Sequence, residues 1–397
     1  MRYITADYVF PVSRPPIKNG VVSIDSEGRI LDVTSTVLEK QSNDQIEKYN
    51  GILCPGFVNT HCHLELSHMK GTIPQNTGLA GFIRNFIAAR KTFTAQLIEQ
   101  GIAAGEKEMI ENGIVAVGDI CNNSDTFKHK ANKNLKYYNF IEGFDFFPEN
   151  TETEIKRIEF VIAELEKIIP DSAYSIVPHA PYSVSEKFFK SLSILNGVER
   201  RLLSMHNQES AEENKMFREK KGKLIKFFSS LGMDFSNWNA SGKSSLQTIL
   251  PYFPKEKNVV LVHNTFTDSE DIKFAESFSK NIYWTTCPNA NLYIECHLPD
   301  YNLFNKAGAK ITIGTDSLAS NHSLSILNEI KTISSYFPEI KLEILLQWAT
   351  LNGAKALGFQ DELGSFEPGK KPGVLLIGNV DLATIALTSS SKVKRLA

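Results

Sequence analysis

Eight short apolar segments rich in β-branched residues recur along this chain, at Leu53–Thr60, Ile114–Ile120, Lys136–Glu142, Tyr174–Pro178, Leu202–Met205, Val259–Val262, Ile282–Thr286 and Lys310–Gly314. Stretches with helical patterning lie between several of them, for instance Thr94–Glu111 and Glu154–Ile169, and Ile340–Leu357 follows the last. Strands buried on both faces read as near-continuous apolar runs, and parallel neighbours need a crossover, usually a helix, between them. Eight such units predict an α/β fold, a (β/α)8 TIM barrel over residues 54–363. In that architecture reactive side chains sit at the C-terminal ends of the strands.

The two ends of the chain read differently. Val21–Ile24, the turn Asp25-Ser26-Glu27-Gly28 and Arg29–Val33 form a hairpin pattern. After Gly364 a turn-rich stretch, Ser365 to Gly373, leads into the strand-like Val374–Ile377. Residues 1–53 and 364–397 are therefore expected to form one small β-sandwich module beside the barrel.

With 397 residues, 42% of them hydrophobic, the chain can bury a core large enough for both parts. Its 43 basic and 45 acidic residues nearly cancel. No broad field points towards nucleic acid or an anionic membrane, and a small-molecule partner is the expectation. The five cysteines are scattered, odd in number and without a Cys-x-x-Cys pair. That argues against a thiolate zinc site and a disulfide framework, and they read as small buried residues. The first residues, Met1-Arg2-Tyr3-Ile4-Thr5-Ala6-Asp7, interrupt the apolar run that a secretory signal needs. No later run approaches transmembrane length, so a cytoplasmic location is expected.

The chemistry begins at Pro55-Gly56-Phe57-Val58-Asn59-Thr60-His61-Cys62-His63. Residues two apart on an extended chain face the same way, so His61 and His63 point together into the barrel mouth. Paired imidazoles suit zinc or another borderline divalent ion. Three more candidates fall at the ends of predicted strands: His206, His263 and Asp316. Five such residues on one rim are poorly explained by packing. His68, His129, His297 and His322 read as ordinary surface histidines.

These segments together resemble the amidohydrolase superfamily, from the Pro55-Gly56 strand to Glu367-Pro368-Gly369-Lys370. His206-Asn207-Gln208-Glu209 is similar to the His-x-x-Glu signature of its purine, pyrimidine and nucleoside deaminases. Pro178-His179-Ala180-Pro181-Tyr182 and Gly314-Thr315-Asp316-Ser317 resemble segments of the same subgroup. So does Cys287-Pro288-Asn289-Ala290-Asn291, with two substitutions. The resemblance implies one divalent metal, zinc or iron, held by His61, His63, His206 and Asp316. The fourth predicted strand ends Val177-Pro178-His179, without the bridging lysine of binuclear relatives, which favours a single ion.

The resemblance further implies hydrolytic deamination of an aminated heterocycle or nucleoside: a purine, an adenosine derivative or an aminodeoxyfutalosine-like compound. Asp316 takes the water proton, His263 orients the attacking hydroxide and Glu209 protonates the ring nitrogen. Local reading of the acidic run agrees, because Ser210-Ala211-Glu212-Glu213 fits a capping box. Glu212 and Glu213 then complement a helix N-terminus, and Glu209 is the carboxylate left to face the metal.

His179 is a weaker candidate for hydrogen bonding a heterocycle or ribose, Glu65 for a substrate amine or hydroxyl, and Arg84 for a substrate carboxylate. Residues 212–257 are long for a βα connection and are readable as a lid, a packing surface or an oligomer surface; a homodimer is the family-based expectation. Competing functions are dechlorination or cyclic amidine or amide hydrolysis on the same site, and a non-catalytic barrel used as a binding scaffold.

Overall fold

The computed structural model describes residues 1–35, 46–197 and 202–397. All eight expected barrel strands are present: β1 Phe57–Cys62, β2 Ile114–Cys121, β3 Lys136–Gly143, β4 Tyr174–Pro178, β5 Leu202–Asn207, β6 Asn258–His263, β7 Ile282–Thr286 and β8 Ile311–Ile313. They pair in parallel and in sequence order as two four-stranded halves, β1 to β4 and β5 to β8. Polar contacts at the C-terminal rim stitch the halves together. His206 N–H donates to the His179 carbonyl at 2.9 Å across one seam. Across the other, His61 O accepts from the N–H groups of Thr315 and Asp316, both at 3.1 Å. Asn59 reinforces this second seam, donating from Nδ2 to Thr315 Oγ1 (2.8 Å) and accepting from Thr315 N–H at its Oδ1 (3.1 Å).

The helix 95–111 starts where Thr94 accepts from Leu97 N–H at 3.3 Å, the side-chain cap that a helix N-terminus needs. The helix expected over Ile340–Leu357 is instead broken into Leu342–Gln347, a π turn Trp348–Asn352 and Gly353–Leu357. The π turn brings Asn352 to the barrel, where its Nδ2 donates to Ile311 O at 2.9 Å. Among the described residues no helix is long and apolar enough to cross a membrane.

Both chain ends enter two small sheets. One orders Ile30–Thr34, Val21–Ile24, Arg2–Thr5 and Ile46–Lys48; the other orders Ala386–Arg395, Val374–Asp381, Ile52–Pro55, Tyr8–Val9 and Ile17–Lys18. Residues 36–45 of the first expected segment lie outside the described residues. Ile4, Val22, Ile24, Val33, Leu53, Phe366 and Val374 form a core of their own, separate from the barrel's.

Gly56 joins Ile52–Pro55 to β1, and its N–H donates to Pro372 O at 3.0 Å. A Cβ there would meet the Val115 side chain and lie 2.5 Å from that carbonyl oxygen. Gly56→Ala is therefore expected to destabilise the fold by about 1–3 kcal/mol, the usual range for overpacking. Chemical denaturation with an unchanged midpoint would show that this junction is not under steric constraint. The cysteines are buried as expected with one exception: Cys296 is exposed, in the left-handed cap of the helix Pro288–Glu295.

Candidate metal centre and active site

β1 delivers His61 near its end, and His63 follows at the start of the short 3-10 helix Leu64–Met69. β5 delivers His206, and Asp316 stands just after β8. One ligand atom from each of these four residues lies within 4.8 Å of the other three. His63 Nε2 is 3.2 Å from His206 Nε2, and Asp316 Oδ1 is 3.4 Å from His61 Nε2 and 3.5 Å from His63 Nε2. Ligands about 2.0–2.1 Å from a tetrahedral zinc ion stand about 3.3 Å apart, so the four groups fit a cation at their centre. Neither ring nitrogen of the fully buried His61 has a hydrogen-bond partner in the protein. Orphaned buried polar atoms are costly, and a bound cation relieves that cost.

Electrostatics fit the same occupant. Burial, followed by the neighbouring imidazoles, pushes His63 down to about 3 and His206 well below its ordinary value. Both rings are thus neutral at pH 7, the form that ligates metal. His206 donates its Nδ1 proton to His179 O at 2.8 Å, which leaves the Nε2 lone pair for the centre. Burial alone would raise Asp316, but the His61 imidazole 3.4 Å away and the other surrounding histidines outweigh it and hold the carboxylate well below its usual range. Glu142, His179 and His206 form a second group of metal-ligand type. It shares His206, whose second nitrogen is already committed to a carbonyl.

The rim is built on unusual backbone. Gln208 (φ 46°), His263 (φ 73°), Asn264 (φ 56°) and Asp316 (φ 57°) are all left-handed, where a non-glycine residue costs about 1–3 kcal/mol. Surrounding hydrogen bonds hold them there. Asn264 Nδ2, for example, donates to Leu261 O at 2.7 Å and to Thr285 O at 3.0 Å.

Glu209 and His263 face this centre across a cavity of about 580 Å³, within the usual range for small-molecule sites. His263 donates from Nδ1 to Asn291 Oδ1 at 2.9 Å, so the Cys287–Asn291 segment aims its Nε2 at the cavity, 3.8 Å from Glu209 Oε1. Burial, then the charges of Asp316 and Glu295, raises Glu209 well above an ordinary glutamate. Its proton is held more tightly than an ordinary glutamate's. Ser210 does cap the helix Ala211–Glu219, accepting from Glu213 N–H at 3.3 Å. Glu212 is half-buried and accepts from Lys223 N–H, whereas Glu213 is wholly buried and is no surface helix-terminus acid.

Of the weaker candidates, two line the cavity. His179 is held by Ser183 through a 2.6 Å bond at Nδ1. Glu65 receives both the N–H and the Nδ2–H of Asn122, each at 3.0 Å, and burial lifts it to about 7. Arg84 does not line the cavity: it is exposed and stacks over Phe227 at 5.6 Å. Its helix, Gly78–Ala89, turns Phe82, Ile83, Phe86 and Ile87 to the cavity instead. Phe228, from residues 212–257, forms part of the same wall and stacks on Tyr182.

Several cavity residues had gone unnoticed. Glu142 ends the third predicted strand, and the rim rule that singled out the histidines applies to it equally; its Oε2 accepts from Asn122 Nδ2 at 3.1 Å. Arg157 lies in the middle of the helix Thr151–Ile168, and nothing in the sequence marks it. His68, read as a surface histidine, is half-buried at the cavity wall with its ring against Phe93.

A cation held among neutral imidazoles beside a carboxyl of raised proton affinity can activate water and hand a proton to the group under attack. That chemistry at the mouth of a (β/α)8 barrel defines a metal-dependent hydrolase. The sequence profile of the Amidohydrolase family matches residues 52–394, and the chain belongs to that family, as a hydrolase of carbon–nitrogen bonds. Adenosine deaminase of Helicobacter pylori is 28% identical over 336 residues, covering 83% of this chain and 79% of that protein. The crystal structure of Helicobacter pylori aminofutalosine deaminase with methylthio-coformycin superposes with a TM-score of 0.79 at 24% identity, over 96% of this chain and 93% of the other. An adenosine deaminase from Xanthomonas campestris with bound zinc reaches 0.74 at 20% identity, over 96% and 85% of the two chains. The last two likenesses bear on the fold.

Proposed function

We propose that this enzyme hydrolytically deaminates an adenosine-type nucleoside, using one divalent metal ion, zinc by preference. The observation that carries the reading is Glu209: a buried carboxyl with raised proton affinity, facing His263 Nε2 at 3.8 Å across the cavity that holds the ligand cluster. Imidazole and carboxylate ligands suit zinc, and iron is the alternative. His61, His63, His206 and Asp316 would hold the ion, which when bound would lower the pKa of water from about 15.7 towards about 7 and so supply hydroxide at neutral pH.

The protein's own groups do the rest. Asp316, ionised, accepts the proton lost by water. His263, with its Nδ1 proton given to Asn291, presents an Nε2 lone pair that orients the attacking oxygen. Glu209 delivers its proton to the ring nitrogen beside the amino-bearing carbon, so that this carbon accepts the nucleophile without building negative charge on the ring. Asp316 passes the proton taken from water to the amine, ammonia leaves, and the hydroxyl proton on the attacked carbon returns to Glu209 as the carbonyl forms. The aromatic walls supplied by Phe82, Phe86, Phe144 and Phe228 suit a planar base.

The test is ammonia release over a panel of adenosine, 5′-deoxyadenosine, 5′-methylthioadenosine, guanine and an aminopterin, with and without prior treatment by a chelator. Stoichiometric ammonia from at least one nucleoside is expected, abolished by chelation and restored by Zn²⁺. Metal-loaded enzyme that frees no ammonia from any of them, but hydrolyses a halogenated heterocycle or a cyclic amide, would move the protein to another reaction on the same site. Absence of both bound metal and hydrolysis would favour the scaffold reading.

A further inference from the structure

A capping box uses its third helical residue to hold the N–H of the cap residue itself, which here is Ser210. Glu213 occupies that third position, yet its carboxylate reaches further back. Oε1 accepts from Gln208 N–H at 3.0 Å and Oε2 from Glu209 N–H at 3.2 Å. Each oxygen holds one of the two consecutive donors that lead into Glu209, and the whole side chain is sealed from solvent.

Beyond the end of β5 the Gln208 carbonyl accepts from Phe266 N–H at 3.0 Å, and the two N–H groups are left to Glu213. Gln208 is the residue after the end of β5 and carries a left-handed φ of 46°. Its side chain avoids the cavity and is clamped on the far side. Nε2 donates to Asp271 Oδ2 at 2.6 Å and Asn214 Oδ1 at 3.1 Å, and Oε1 accepts from Thr267 Oγ1 at 2.7 Å. Asp271 also accepts from Ser244 Oγ at 2.5 Å and Gln247 Nε2 at 2.8 Å. Both ends of the long connection after β5 are thus tied to the loop that carries Glu209. Bonds to a carboxylate are about twice as strong as neutral ones, and a reacting group displaced by about 1 Å can lose about 10²-fold in rate.

We infer that Glu213 is a positioning residue for catalysis: it fixes the Gln208–Glu209 backbone so that Gln208 points outwards and Glu209 into the cavity. This rests on Glu209 being the proton donor. Glu213 touches no substrate and acts through its neighbour.

The experiment is a double-mutant cycle on metal-loaded enzyme, reading kcat, KM and metal content with adenosine, or with the panel nucleoside turned over fastest. Glu213→Gln keeps shape and one acceptor, and should lower kcat about 10-fold with KM within about 2-fold and metal unchanged. Glu213→Ala should lose about 10²-fold. In a Glu209→Gln background neither should lower kcat more than about 2-fold further, because the group being positioned has gone. If Glu213→Ala does not fold, the Glu213→Gln arm of the cycle still decides. A folded, metal-loaded Glu213→Gln enzyme with kcat within about 2-fold of the parent would overturn the inference. So would an undiminished loss in the Glu209→Gln background, which would mark Glu213 as merely structural. Full turnover by Glu209→Gln alone would instead remove Glu209 as donor, and ammonia from no nucleoside of the panel would remove the deaminase reading beneath both.

Discussion

Glu209→Gln should retain its metal and its fold while turnover falls by about 10²-fold or more, equivalent to about 2.7 kcal/mol of transition-state stabilisation. The amide preserves size and hydrogen-bonding reach but has no proton to give. Glu209 is not among the four residues whose ligand atoms converge, so metal content should match the parent. The loss should appear in kcat and kcat/KM together, the signature of an interaction made only in the transition state. Glu212→Gln is the control: this side chain is half-buried, lies outside the cavity lining and is bonded to Lys223 N–H on the helix beyond, and turnover should be nearly kept. Near-normal ammonia release by Glu209→Gln, or an equal collapse in Glu212→Gln, would show that the proton donor is a different carboxylate.

His61→Ala is expected to empty the centre. Losing an outer-shell partner of a metal ligand typically costs about 10- to 100-fold in affinity or activity, and removing a ligand itself should cost more. Elemental analysis should find most of the metal gone and ammonia release at background. The barrel should survive, because His61 makes no side-chain hydrogen bond within the protein and its truncation strands no partner. Circular dichroism like that of the chelated parent would show this. Full occupancy in the variant would remove His61 from the ligand set, and two stoichiometric ions in the parent would remove the single-ion claim.

Much of the site was legible because its signals are local. His61 and His63 share a face through strand alternation, and the ends of β5, β6 and β8 supply His206, His263 and Asp316 by one rule about where barrels place side chains. Ser210 announced its helix through cap chemistry that needs only four consecutive residues. Glu142 obeyed the strand-end rule and was passed over. Arg84 and Glu213 failed for another reason, since each depends on which side of its helix meets the rest of the molecule. Arg84 shares its helix with five cavity-facing residues yet points outwards over Phe227.

The sequence alone determined the barrel strands and which histidine and carboxylate side chains stand at or just beyond their ends, because strand periodicity and residue chemistry act over a few positions. Only the tertiary structure decided how these groups meet. Spacings of 3.2 to 3.5 Å among side chains from β1, β5 and the end of β8 arise from closure of the two half-barrels. The raised proton affinity of Glu209 comes from burial and from Asp316 and Glu295, residues distant in sequence. The same holds for Glu213, whose neighbours in the chain specify a helix start while its burial turns it into a clamp on the loop before it. Burial and long-range charge are properties of the packed chain, and no window of the sequence contains them.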